Sequence, residues 1–72
     1  MSMAEKIRIM RIKCGNISER ELAERMGMTP QNLNNKMRRD DFKINELEKI
    51  ANTMGYKIVI NFVNLENGEE FQ

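Results

Sequence analysis

The sequence predicts a mainly α fold, a compact four-helix domain with a C-terminal β-strand, and three observations carry that prediction. Apolar residues recur at helical spacing in four stretches before residue 55. Between the second and third stretches lies a dense set of stop and start signals, Gly27 followed at once by Thr29 and Pro30. After Gly55 the period shortens to two, with Tyr56, Ile58, Ile60 and Phe62 on one side and Lys57, Val59, Asn61 and Val63 on the other. Residues 1–72 then form one domain: a helical core over 4–55, a strand over about 56–64 and a tail over 65–72.

The first helix is expected from about Ala4 to Cys14, with Met3, Ile7, Met10 and Cys14 on one face. A lone thiol on such a face is usually a small buried apolar group, and Cys14 is given no reactive role. Ile9 and Ile12 lie off that face, either packed against the strand or simply exposed. Ser18 with Glu21 is a capping box that starts the second helix, whose inner face is Leu22, Ala23 and Met26. Gly27 ends it, because a residue without Cβ takes the left-handed conformation cheaply and lets the chain turn. Thr29 caps the third helix by accepting a backbone N–H, and Pro30 suits its first turn, where a missing donor breaks no bond. A loop from Asp40 to Ile44 leads to a fourth helix, Glu46 to Met54, capped by Asn45 and reinforced by Glu48, with Leu47, Ile50, Ala51 and Met54 inward. The seven methionines are most simply flexible core filler, and a Met-rich partner groove is the weaker alternative.

Two helices hinged at a glycine are how a chain holds one helix out for a DNA groove. On the third helix Leu33 and Met37 make the apolar side, while Gln31, Asn34, Asn35 and Arg38 stand at i, i+3, i+4 and i+7 on the other. Asparagine is roughly 0.5 kcal/mol worse than alanine inside a helix, yet Asn32, Asn34 and Asn35 crowd into two turns, so helix stability did not select them. Amides pair with the N6 and N7 edge of adenine in the major groove, and arginine does the same for guanine. Thr29, Gln31, Asn34, Asn35 and Arg38 are therefore the candidate base-reading residues.

With Leu22-Ala23, Gly27 and Leu33 in place, the chain resembles the helix-turn-helix regulators of the phage Cro and repressor type, the XRE-like family. Ile7, Met10, Arg11 and Gly15 look like that family's first helix, and Leu47, Ile50, Ala51, Met54 and Gly55 like its fourth, so the resemblance covers most of residues 5–55. It implies a transcriptional regulator of bacterial or phage origin. It further implies that Gln31 contacts base and backbone, that Asn34 and Asn35 face the groove, and that Arg38 approaches phosphates at the helix end. The chain departs from the family pattern at three positions. Pro30 replaces a long polar reader, and Glu19 stands where relatives often carry Gln against a phosphate. Met37 falls where some relatives place an acidic partner for Arg11, leaving Arg11 freed toward a phosphate or paired elsewhere.

Seventy-two residues bury only about 60 to 65% of the unfolded surface, which leaves a small domain marginally stable, and no second, ligand-sensing domain is expected. With no histidine, one cysteine and no glycine-rich phosphate loop, the components of zinc sites, Cys-His catalysis and nucleotide cradling are missing. No enzymatic activity, metal, cofactor or small-molecule ligand is expected. No apolar run reaches membrane-span length and no signal-peptide core opens the chain, so a cytoplasmic protein is expected.

Net charge is only +1, but it is unevenly spread: residues 1–39 hold 9 basic and 4 acidic side chains, residues 40–72 hold 3 and 7. If the basic end faces the duplex, Arg20, Lys36, Arg38, Arg39 and Lys43 neutralise phosphates and release counterions. Ser18, Arg20, Lys36, Arg39 and Lys43 are the candidate phosphate contacts, while Glu24 and Arg25 read as solvated surface.

A single strand leaves its backbone groups unpaired and needs a hairpin arm or another chain. Asn67-Gly68 is a hairpin signal, but the return arm Glu69 to Gln72 is short and half acidic. Pairing between two protomers is favoured, with Tyr56, Ile58, Val59, Ile60 and Phe62 as the dimer interface. A homodimer also suits DNA, because two reading helices about 34 Å apart address successive major-groove faces of a near-palindromic site. The expected function is sequence-specific binding of double-stranded DNA by a dimeric regulator, most simply a repressor. The alternative is a protein-interaction module, antitoxin-like or a phage adaptor, that offers its strand to a partner sheet.

Overall fold

Three hydroxyl side chains start three helices in the same way, each accepting a backbone N–H of the first turn. Ser2 Oγ takes the Glu5 N–H at 3.1 Å, Ser18 Oγ the Glu21 N–H at 3.0 Å, and Thr29 Oγ1 the Asn32 N–H at 3.1 Å. The helices that follow in this computed structural model, which describes residues 1–71, are α1 Met3–Lys13, α2 Glu19–Met26, α3 Pro30–Arg39 and α4 Ile44–Thr53. The four-helix expectation holds, with α1 displaced by one residue from its expected limits.

The start of α4 differs from expectation. Asn45 does not cap it; the helix begins at Ile44, with Lys43 in the N-cap position, and Asn45 lies exposed inside the first turn. The reason is Glu46, whose Oε1 reaches back to accept the Lys43 N–H at 2.8 Å. A carboxylate at the third helical position satisfies that donor and sits favourably on the helix dipole, so the cap comes from within the helix.

Helix ends set the path of the chain. Gly27 adopts φ 73° and the Met28 N–H donates to Ala23 O at 3.0 Å, the bond that reverses a chain after a left-handed residue. α3 ends on a non-glycine residue, Asp40 at φ 53°, with the Asp41 N–H donating to Lys36 O at 3.2 Å. The Asp40 carboxylate then reaches the start of α1. At the other end of α1 the Cys14 thiol donates to Met54 O at 3.4 Å, so α1 is fastened to its neighbours at both ends.

α2 is the centre of the domain and packs against both α3 and α4. Leu22, Ala23 and Leu33 are fully buried, joined by Ala4, Ile7, Ile17, Met26, Met37, Ile50 and Met54, with Met10, Cys14, Met28, Phe42 and Leu47 packed around them. Each fully buried leucine contributes roughly 1.5 to 3 kcal/mol, a large share of the stability of so small a domain. Arg11 is paired, not free: its Nη1 donates to Ile17 O at 3.0 Å, which fixes the loop between α1 and α2. Ile9 and Ile12 are exposed.

The expected strand over 56–64 is not formed, and no strand or sheet occurs among the described residues; residues 56–62 have no regular structure. Residues 56–61 meet no partner edge among the described residues, so period-two patterning alone does not make a ladder. What forms instead is a tight reversal, with a single antiparallel bridge between Val63 and Glu70 and the Phe71 N–H donating to Phe62 O at 2.8 Å. Asn64 Oδ1 accepts the Glu66 and Asn67 N–H groups and Gly68 turns at φ 73°, so the Asn67-Gly68 signal does mark a turn. Gln72, the end of the expected return arm, lies outside the described residues. The radius of gyration is 14.0 Å against about 11 Å for a compact chain of this length, because this terminal reversal is exposed throughout.

Candidate nucleic-acid interface

The side of α3 opposite Leu33 and Met37 carries only amides and cations. Gln31, Asn32, Asn34, Arg38 and Arg39 are exposed and Asn35 is half-buried, a surface wider by Asn32 and Arg39, both on the flank of Asn35, than the spacing rule i, i+3, i+4, i+7 suggests. Asn32 was not among the sequence-derived candidates; projecting the helix at about 100° per residue puts it beside Asn35 and Arg39, a signal present in the sequence. Together with Lys36 and Asp41 these three residues line a small polar hollow.

Two of the candidate readers are held by specific partners. Asn34 Nδ2 donates to Glu19 Oε1 at 3.2 Å, linking the first turn of α2 to the second turn of α3. Asn35 Oδ1 accepts from Arg38 Nη2 at 2.9 Å. These contacts leave the neighbouring amides with opposite ends free, the carbonyl of Asn34 and the amino group of Asn35. Gln31 is exposed and makes no side-chain hydrogen bond among the described residues. Thr29 is exposed too, but its oxygen already serves as the cap of α3, which leaves its hydroxyl proton free.

The cations fall into two groups. Lys36, Arg38 and Arg39 occupy the last turn of α3, where the helix dipole favours positive charge. Lys36 is committed to Glu46 in a half-buried ion pair, and this contact and the Lys43 backbone N–H together hold the Glu46 carboxyl below the usual carboxylate range. Arg20 meets Glu24 at 3.6 Å on an open surface, a pair contributing roughly 0.5 kcal/mol or less, so Arg20 can leave it at little cost. Arg39 and Lys43 are exposed and make no ion pair among the described residues, and Ser18 is exposed at the start of α2. Ser18, Arg20, Arg39 and Lys43 therefore stay available to a phosphate, whereas Lys36 does so only by abandoning Glu46.

The C-terminal candidates are laid open on a different face. Tyr56, Val59, Ile60 and Phe62 are exposed and only Ile58 is half-buried. Residues 57–61 run beside Met3, Met10, Ile44 and Leu47, and with these they border an open groove. Among the described residues no three His, Cys, Asp or Glu side chains gather as a metal site, and no helix is long and apolar enough to cross a membrane. No family model, curated protein or solved structure matches the chain. The chemistry of this surface is read from its own geometry.

Proposed function

We propose that the protein is a sequence-specific double-stranded DNA-binding regulator that inserts α3 into the major groove. The observation that carries this reading is the open side of α3, where Gln31, Asn32, Asn34, Asn35, Arg38 and Arg39 reach solvent while Leu33 and Met37 anchor the helix from behind. Amides and arginines at these positions supply paired donors and acceptors for base edges. Ser18, Arg20 and Arg39 flank them as phosphate contacts, with Lys43 beyond the end of α3. Net charge of +1 is small for a DNA binder, and concentrating the cations at one end compensates locally.

The regulator acts as a homodimer in the bacterial or phage-infected cytoplasm, residues 56–62 of one protomer pairing with those of the other. The exposed apolar side chains of that segment support this, as do the backbone groups of residues 57–61, which have no ladder partner among the described residues. Occupying an operator and blocking polymerase is the simplest outcome. The same segment supports a second reading, an adaptor that adds a strand to another protein's sheet. Selection of bound duplexes from a random pool, with sizing in solution, decides between them. A regulator enriches one near-palindromic sequence as a dimer; a monomer indifferent to sequence sinks the DNA reading.

A further inference from the structure

Glu19 is out of place for a residue whose only task is to help grip DNA. It lies half-buried beside Asn34, on the flank that the proposed reading turns toward the duplex, where a carboxylate repels phosphates. Unlike Glu21, which meets Arg25 one turn on at 3.5 Å, Glu19 has Ala23 at that spacing and points its oxygen across to α3. There Oε1 accepts from Asn34 Nδ2 at 3.2 Å.

A carboxamide left to itself presents either its carbonyl or its amino end, but a carboxylate only accepts hydrogen bonds. Beside Glu19 the amino end of Asn34 must face inward, so Oδ1 and the second N–H are what remain for a ligand. Resting on the DNA-binding reading above, we infer that Glu19 is a positioning residue that fixes the polarity of Asn34 and makes it select a base carrying an exocyclic amino group, adenine first. Adenine offers the N6 donor to Oδ1 and the N7 acceptor to the free N–H; cytosine offers only a donor. Thymine and guanine place an oxygen where Oδ1 needs a proton.

The test uses the full chain and the duplex emerging from selection, with each base pair replaced in turn and binding read by fluorescence anisotropy. The position contacted by Asn34 is the one where Asn34→Ala removes discrimination. There the native protein prefers adenine over thymine by about fivefold or more. Glu19→Gln keeps a hydrogen bond and the fold, verified by its melting curve, but a glutamine amide accepts either polarity. The preference at that position then falls to within about twofold of unity, with discrimination elsewhere intact. In the Asn34→Ala background Glu19→Gln changes no preference at all.

A Glu19→Gln protein that binds every duplex more tightly by one common factor, with the adenine preference preserved, overturns the inference and reduces Glu19 to a charge. Preference for thymine or guanine at the Asn34 position overturns it as well. A native protein that selects no duplex sinks the DNA reading and the inference with it, an outcome distinct from selectivity that survives in Glu19→Gln.

Discussion

Asp40 Oδ1 accepts the backbone N–H of Ala4 at 2.7 Å, so the residue that ends α3 also closes the start of α1 across 36 positions of sequence. Ser2 takes the Glu5 N–H in the same turn, and two of the donors that a helix start leaves orphaned thereby find side-chain oxygens. The contact ties the far end of the proposed reading helix to the body of the domain. It demands a residue that tolerates φ 53° and carries an oxygen, which aspartate and asparagine do and alanine does not.

Replacing Asp40 separates the two demands. Asp40→Ala loses the bond and strains the left-handed backbone, costing about 1 to 2 kcal/mol in urea unfolding. Asp40→Gly relieves the backbone but leaves the Ala4 N–H without that acceptor, and falls between alanine and the native protein. Asp40→Asn retains an acceptor and is the mildest of the three. A glycine variant as stable as the native chain shows that the bond contributes nothing.

Low pH should weaken the Lys36–Glu46 contact between α3 and α4. The folded-state carboxyl of Glu46 is depressed, first by the Lys36 side chain and then by the Lys43 backbone N–H. A depressed acid adds stability that is complete above its unfolded value and is lost as pH falls through the folded one. Melting temperature should therefore drop as pH falls below the ordinary glutamate range of about 4.3, and Glu46→Gln should flatten that limb while lowering stability near neutrality.

The helical core is largely legible in the sequence, because Ser18, Gly27, Thr29 and Pro30 are local signals whose physics does not depend on what packs nearby. The start of α4 is not. Asn45 is the better intrinsic cap, but Glu46 turns one oxygen back to the Lys43 N–H, which makes Lys43 the N-cap position, while its other oxygen meets Lys36 on α3. Ile17, Met28 and Phe42 sit in loops or at helix edges, outside any periodic face, so periodicity did not find them as core residues. The strand failed for the opposite reason. Alternation over 56–63 describes how side chains would be shared between two faces, but a ladder needs a partner edge, and the chain's own return arm pairs only at Val63 and Glu70 among the described residues. At the proposed reading surface the residues are visible in the sequence, whereas the partners that orient them, Glu19 for Asn34 and Arg38 for Asn35, depend on how helices meet or which rotamers form.

Arg39 and Lys36 should behave differently as phosphate contacts although they stand three residues apart. Arg39 is exposed and makes no ion pair among the described residues, so Arg39→Ala weakens all duplexes alike and reduces the salt-dependence slope by about 1. Lys36 already neutralises Glu46, and Lys36→Ala changes the slope less while lowering folding stability by leaving that carboxylate without its cation. Anisotropy across a salt series and urea melts of both variants check the pair; equal slopes would mean that the ion pair opens on binding.

Gln31 and Asn35 test reading as opposed to clamping. Gln31→Ala removes an exposed side chain and should leave stability within about 0.5 kcal/mol while costing roughly 1 to 3 kcal/mol on the selected duplex and relaxing the preference at one base. Asn35→Ala also releases Arg38 from its 2.9 Å contact, so it should loosen preference at its own base and at any base that Arg38 reaches. Equal loss on every sequence from both variants would assign these residues to the backbone.

Self-association is expected to reside in residues 56–62, and charge placed there should separate assembly from folding. Ile60 and Phe62 are 50% and 74% exposed, so Ile60→Asp or Phe62→Asp leaves the melting temperature of the isolated chain nearly unchanged. In a paired segment the same carboxylates come close to their symmetry mates, where like charges oppose each other. Sedimentation should then show the native chain as a dimer and either variant as a monomer. The monomer should retain binding to a single half-site and lose the gain in affinity that a second half-site one helical turn away provides, because joining two modules raises apparent affinity without any new contact. Ile58→Asp is the internal control, since Ile58 is half-buried and its replacement lowers the melting temperature as well. A native chain that sediments as a monomer on its own and binds one half-site as well as two removes the dimer and shifts the role of this segment to a different partner.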